Sequence, residues 1–283
     1  MASKEKKRKQ SKRNKKNARL LTAATADRHA LYEKSVQAVD AEIDFVDDTF
    51  RALRGRQASR LREDFCGTGN TSCEWARRRP DNYAVGVDLD EDVMDWGRRH
   101  HVAKLKRGAD ERVALVHDNV LTADVRDQDI ILAMNFSYMI FKERAVMHDY
   151  YSKVHDALNE DGVFFLDCFG GYDAFRVVKE HTDYDDYRYT WHQAAYNPIT
   201  GDMRCHIHFR FSDGTRLKKA FTYDWRLWTL PEIKEILMEA GFANVTVYWQ
   251  GWDESGEEAN GEFYPAGDAE ADAGWICYIV AER

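Results

Sequence analysis

The sequence predicts an α/β protein: a mostly parallel sheet with helices on both faces, carrying an inserted antiparallel meander. Two observations lead there. Through the first 171 residues, apolar β-rich runs alternate with stretches of helical periodicity, as strand–helix–strand units require. After Gly171 the period shortens to two, and turn signals separate three aromatic-rich runs.

In order, residues 23–53 repeat apolar side chains at Leu31, Val36, Val39, Ile43, Val46 and Phe50, which predicts helix. A strand follows at 61–65 and a helix at 71–79, stopped by Pro80. "YAVGVDL" (83–89) is the second strand, and a helix spans 91–106. "RVALVHD" (112–118) and "DIILAMNF" (129–136) are strands three and four. A helix covers 143–158, and "GVFFLDCFGG" (162–171) is the fifth strand. The runs within 185–225, separated by "NPITGD" and "SDGT", form a three-stranded meander. In "TLPEIKEILMEAG", Thr229 and Glu232 make a capping box, Pro231 sits in the first turn and Gly241 ends the helix. The last strands are 242–250 and 274–282. Between them, 253–273 holds eight acids and no base and reads as a mobile loop. The chain divides into a basic tail (1–22), a core (23–171), an antiparallel insert (172–228), and a helix and two strands that complete the core (229–283).

Net charge is −8, but residues 1–20 carry ten Lys/Arg against one acid; their +9 leaves −17 for the rest. The tail has too few apolar residues to offset its ordering entropy and reads as disordered. It is a nucleic-acid- or ribosome-binding arm, a nuclear import signal in a eukaryote, or a solubilising polycation. No apolar run reaches the ~18 residues a membrane helix needs. Five scattered cysteines without a CxxC pair point to free thiols and a cytoplasmic setting, nuclear if the tail is an import signal.

The chemistry concentrates at "LREDFCGTGNTS" (61–72). A Gly-rich turn between strand and helix lets a ligand approach the backbone and meet helix N–H groups. Gly67-Thr68-Gly69 is followed by Ser72, so the dinucleotide pattern G-x-G-x-x-G is incomplete. The second strand ends in Asp88, nineteen residues past Gly69, where a carboxylate can accept from both hydroxyls of a ribose. The third ends in Asp118, followed by Asn119 and Val120. Arg62 and Asp64 alternate with Glu63 and face the other side of the strand. A buried charge must be paired, so Arg62 bonds an acid, Asp64 being the nearest, or else grips a ligand carboxylate.

This set resembles the class I S-adenosylmethionine-dependent methyltransferases over about residues 30–283. Their first motif is similar to "VLDLGCGTG". Glu63 takes its acidic place, Cys66 to Gly69 match, and Phe65 stands where the first Gly would be. The resemblance implies a Rossmann-like seven-stranded sheet with an antiparallel last strand, and S-adenosylmethionine as cofactor. Glu63, Cys66, Gly67, Thr68 and Gly69 would hold its methionine end, Asp88 with Leu89 its ribose, and Asp118, Asn119 and Val120 its adenine. Asn135 would face the donor methyl, and Tyr32 would close over it.

The acceptor leaves fainter traces. "NFSY" (135–138) lacks the prolines of the N-P-P-[YF] motif, and there is no base-flipping signature. The insert looks like the acceptor cover of small-molecule N- and O-methyltransferases. Its Trp191, Tyr223, Trp225 and Trp228 could bind a cationic amine, or could be small-sheet core. Asp167, ending the fifth strand, is a further acceptor-binding candidate. Tyr138 and His206 are the catalytic candidates. His206 and His208 share a strand face, too few ligands for a metal site, and none is assigned. The expected activity is methyl transfer to a small molecule, an amine ahead of a hydroxyl. The alternative acceptor is RNA or a protein, recruited through the basic tail.

Overall fold

Residues 21–253 and 259–283 are described by a computed structural model. Twelve strands and six α-helices make up these residues: α1 Arg28–Val36, α2 Val39–Arg54, β1 Arg60–Asp64, α3 Asn70–Arg78, β2 Tyr83–Asp88, α4 Glu91–His100, β3 Val113–His117, β4 Gln128–Ala133, α5 Arg144–Ala157, β5 Leu158–Gly170, β6 Val178–Asp183, β7 Tyr187–Tyr196, β8 Asp202–Phe211, β9 Arg216–Arg226, α6 Leu230–Glu239, β10 Asn244–Trp252, β11 Ala259–Ala266 and β12 Trp275–Glu282.

The main sheet has the order β11-β10-β12-β5-β4-β1-β2-β3. β3, β2, β1, β4 and β5 are parallel, and β12 runs antiparallel to both its neighbours. This is the expected Rossmann-like sheet with one strand added at its edge. β5 and β4 are apolar on both faces because helices cover both. On one face α2 and α3 bury Ile43, Val46, Phe50 and Trp75 against Leu61, Ile130 and Phe165. On the other, α5 and α6 bury Tyr150, Val154, Ile233 and Leu237 against Phe164 and Leu166. The capping box of α6 forms as the sequence indicates, and Gly241 follows at φ 108°.

Three local expectations change. The helical run of 23–53 is two helices, because Gln37 turns extended (φ −93°, ψ 140°) and ends α1. The meander gains a fourth strand, β6, in the order β6-β7-β8-β9; its mostly exposed "VKEHTD" shows no apolar alternation. The acidic segment read as a mobile loop contains β11, paired with β10 from Val247↔Ala266 to Trp252↔Ala259. Phe263 anchors it on Tyr278, with ring centroids 4.4 Å apart. Of the tail expected at 1–22, Leu21 packs on the small-sheet cluster and Thr22 bonds Thr25 and Ala26, while residues 1–20 lie outside the described residues.

The small sheet presents one face to α1, burying Leu31, Tyr187, Ile207, Phe209 and Phe211. Its far end joins the main core through Met203, Trp225 and Leu227. All five cysteines are buried, free thiols. Among the described residues, no helix is long and apolar enough to cross a membrane.

Candidate active site

Strand order reverses between β1 and β4, and open α/β sheets bind ligands at the carboxyl ends beside such a reversal. Two cavities lie there. One, of about 310 Å³, is lined by Glu63, Asp64, Phe65, Cys66, Gly67 and Thr68, by Asp88, and by Met134 and Asn135 beyond β4. The other, of about 440 Å³, lies between the sheet edge and the inner face of the small sheet, lined by Phe136, Phe169, Glu180, Trp191, Gln193 and Trp225 among others. Tyr32, Asn135 and Tyr223 line both, so the cavities meet at these three side chains.

The loop after β1 is built from alternate left-handed residues: Phe65 (φ 58°), Gly67 (φ 51°) and Gly69 (φ 66°). For phenylalanine that conformation costs about 1–2 kcal/mol. Its ring is held against Phe141 and Tyr150, with centroids 5.8 and 5.7 Å away. Gly69 shapes the turn without lining the cavity, and a Cβ on it would sit 2.7 Å from Leu115 Cδ2. Gly97 matters as much: a Cβ there would lie 1.9 Å from the Thr68 carbonyl oxygen, so α4 rests directly on the loop. Thr68 Oγ1 donates to Glu33 Oε1 (2.7 Å), which also bonds His101 Nε2 (2.6 Å), tying α1 and Tyr32 to the same loop.

Each carboxylate has a visible task. Glu63 accepts from the Ser72 amide (2.9 Å) and hydroxyl (2.6 Å) in the first turn of α3, and burial pushes its carboxyl up to about 7. Asp88 accepts from the amides of Gly67 and Asp90, both at 2.8 Å, and each oxygen keeps a lone pair for a ligand. Beside it Leu89 is 62% exposed, an apolar side chain without cover. The Asp118 amide donates to the Asp88 carbonyl (3.1 Å), so the third strand end abuts the second. Leu89, Asp118 and Asn119 stand at this rim, outside the lined cavity, whereas Val120, expected against the adenine, is buried in the main core. The Asp118 carboxylate accepts from the Asn119 amide and Thr122 Oγ1.

Several candidate residues are placed elsewhere. The Arg62 guanidinium does not reach the cavity. Its Nε bonds Asp64 Oδ1 at 2.6 Å, with the side chains 2% and 0% exposed, and its other nitrogens donate to the Val120 and Val125 carbonyls. Strand alternation sends it to the opposite face from Glu63, and of the two sequence readings only the pairing with an acid is realised. Tyr150 Oη completes the cluster by donating to Asp64 Oδ2 (2.8 Å). Tyr138 is fully buried and donates to the Asp167 carbonyl (2.7 Å), which makes it core rather than a catalytic group. His206 faces away from both cavities on the outer side of β8, its Nδ1 bonded to Thr222 Oγ1, because Cys205 and Ile207 take the inner positions. Trp228 is buried, donates to the Phe141 carbonyl and lies under Arg226, outside the larger cavity. Asp167 does not line a cavity. Its two oxygens accept from the Asn135 and Phe136 amides at 2.8 Å each, holding two consecutive left-handed residues (φ 57° and 59°) at the junction. Burial pushes the Asp167 carboxyl up to about 7.

Tyr32 and Trp191, Trp225 do line cavities as the sequence indicates. Tyr223, singled out only as a lid aromatic, lies beside Tyr32 at the junction. Burial pushes Tyr32 up to about 12 and Tyr223 well above its usual range, so both remain neutral hydroxyls near pH 7. Glu180 was missed, since β6 carries no strand signal. Among the described residues no cluster of three or more His, Cys, Asp or Glu could hold a metal ion.

No protein-family model matches the chain, and no curated protein matches it. Solved structures do. It is similar to an S-adenosylmethionine-dependent methyltransferase from Clostridium acetobutylicum (15% identity, TM-score 0.66, 90% of this chain and 96% of that one). It is also similar to CalS10, an amino pentose methyltransferase from Micromonospora echinaspora solved with S-adenosylmethionine bound (18%, 0.63, 90% and 95%). A third is DesVI from Streptomyces venezuelae (16%, 0.64, 90% and 98%). The chain has the fold of the S-adenosylmethionine-dependent methyltransferases.

Proposed function

We propose that the protein transfers a methyl group from S-adenosylmethionine to a small-molecule acceptor, an amine ahead of a hydroxyl. The observation that carries this is the meeting of two cavities at Tyr32, Asn135 and Tyr223. One has a glycine loop and acids suited to a nucleoside with an amino-acid tail; the other is aromatic and closed by the insert 172–228. Two of the similar structures accord with an amine acceptor: CalS10 is an amino pentose methyltransferase and KedS8 a sugar N-methyltransferase.

The residues fit the donor. Asp88 retains lone pairs for ribose hydroxyls, uncovered Leu89 offers an apolar contact beside them, and Glu63 with the Phe65–Thr68 backbone suits an ammonium and a carboxylate. Bound there, S-adenosylmethionine would supply a methyl group already activated by a sulfonium. The chain's own work is then positioning and exclusion of water. Trp191, Tyr223 and Trp225 form a wall whose ring faces, with Glu180 opposite on β6, attract a cationic amine. Tyr32 and Tyr223 orient it as neutral hydroxyls. Neither is a ready base, so the amine reacts after losing its proton to solvent or to Glu180.

Calorimetric titration with S-adenosylmethionine is expected to show one site, lost in Asp88→Ala. Absence of binding to the wild type, or unchanged binding in the variant, overturns the donor assignment. Transfer of labelled methyl into fractionated extract then separates small-molecule from RNA and protein acceptors, and label confined to macromolecules would reverse the acceptor class.

A further inference from the structure

The outer face of the small sheet has a feature that methyl transfer does not use. Strands β6 to β9 form a groove of about 590 Å³ lined by six Lys/Arg and four histidines, with no carboxylate in its wall. Body residues carry −17 net, so a concave surface of this size without an acid is a marked departure. Arg188 alone among the six is paired, with Asp183. Lys179, Arg210, Arg216, Lys218 and Lys219 have no ion-pair partner among the described residues.

The histidines are ordered by hydrogen bonds. The Lys219 amide, held at φ 51° by the β8–β9 bulge, donates to His208 Nδ1 (3.0 Å). That fixes the proton of neutral His208 on Nε2, which faces His192 Nδ1 at 3.3 Å. The outward His192 Nε2 is thereby left as a donor. Burial, then His192, His206, Lys179 and Lys219, hold His208 down to about 4, so the ring stays neutral in a field of positive charge. Such a field is relieved by a bound anion.

The first described residues reach the same sheet. Leu21 and Ala23 pack on this sheet, and the Ala23 amide bonds Thr215 Oγ1, next to Arg216 of the groove. The twenty residues joined there carry ten Lys/Arg.

We propose that this face binds single-stranded nucleic acid through its phosphodiester backbone. A dense, regular polyanion is what matches five unpaired cations along neighbouring strands, and imidazole rings add surfaces for bases. The larger cavity lies on the other face of the same strands, so the strand held here docks outside it. The inference is independent of the methyl-transfer reading.

The test is fluorescence anisotropy of the full chain with labelled single-stranded RNA and, separately, single-stranded DNA, each across a salt series. Reversal of Lys179, Lys218 and Lys219 to glutamate in the full chain is expected to weaken binding at least tenfold. The log–log salt slope should flatten by about 2, since each phosphate contact on a single strand contributes roughly 0.7. Preference for RNA over DNA identifies the source, and equal binding identifies backbone recognition alone; both support the proposal. Unchanged affinity in the triple variant overturns it, assigning any binding to the tail. Tighter binding of polyglutamate than of either nucleic acid also overturns it, in favour of an acidic protein partner. Unchanged S-adenosylmethionine affinity and melting temperature in the variant confirm that the fold is intact.

Discussion

Replacing Arg62 by methionine isolates the charged cluster buried under the loop after β1. Asp64 would keep only the Tyr150 hydroxyl as a partner, with its side chain 0% exposed. Breaking one side of a buried ion pair costs about 3–5 kcal/mol. The structure also gives a ceiling, because the orphaned carboxyl can take up a proton. From an unfolded-state value near 3.9, that escape at pH 7 costs about 4 kcal/mol, at 1.36 kcal/mol per unit. Asp64 is already pushed upward by burial, with Arg62 opposing, so removing Arg62 raises it further. The sign then follows. A folded-state value raised above the unfolded one gives stability that is lost as pH rises, so the defect is worst at neutral pH. It should shrink by about 1.4 kcal/mol per unit of acidification down to the unfolded-state value. Urea unfolding at pH 7.5 and 5.5 measures this, and at neutral pH the melting temperature should fall by about 8 °C, at roughly 2 °C per kcal/mol for a chain of this size. Arg62→Met/Asp64→Asn should recover about 2 kcal/mol at pH 7.5 and lose the pH dependence, since asparagine still accepts from Tyr150. A penalty equal at both pH values, or a double variant no better than the single one, would refute the reasoning.

Four other outcomes follow from the site. Phe65→Gly relieves left-handed strain of about 1–2 kcal/mol but deletes a ring packed on Phe141 and Tyr150, worth about 3 kcal/mol; chemical denaturation should show net loss of about 1–2 kcal/mol. Gly97→Ala drives a methyl into the Thr68 carbonyl, so the loop must shift, and calorimetry should show S-adenosylmethionine affinity down at least tenfold, for a stability cost of about 1–3 kcal/mol. Glu63, raised to about 7 by burial, contributes stability present below its unfolded-state value and lost as pH rises through about 7, whereas a cationic ligand group needs it ionised. Donor affinity should therefore climb with pH up to about 7 and then level, and Glu63→Gln should flatten the climb in titrations from pH 5.5 to 8. Asp167→Asn turns a donor toward one of two amides that now meet a carboxylate; acceptor kcat/KM should drop at least tenfold with donor Kd changed less than threefold.

Much of this site is legible in the sequence. Gly67, Asp88 and Asn135 converge because each ends or follows a strand of one parallel sheet, and strand ends are marked locally by turn residues. The pairing of Arg62 with Asp64 could be anticipated too, since alternation puts i and i+2 on one face and a buried charge needs a partner. Tyr138 and His206 were misplaced for a common reason. Sequence marks them as near a strand end or on a strand, but which face meets the cavity depends on which layer covers that strand. β6 and β11 escaped notice because edge strands have one open side and need little apolar alternation to pair.

By itself the sequence determined the α/β class, the strand ends that carry the glycine loop and its acids, and the free thiols, because these follow from local periodicity, spacing and composition. Only the tertiary structure decided that Tyr32, Asn135 and Tyr223 share a junction, that Asp167 holds backbone rather than ligand, and that scattered cations from four strands line one groove. Those outcomes depend on residues up to 191 positions apart meeting across layers, as Tyr32 and Tyr223 do, and packing between layers leaves no local mark on the chain.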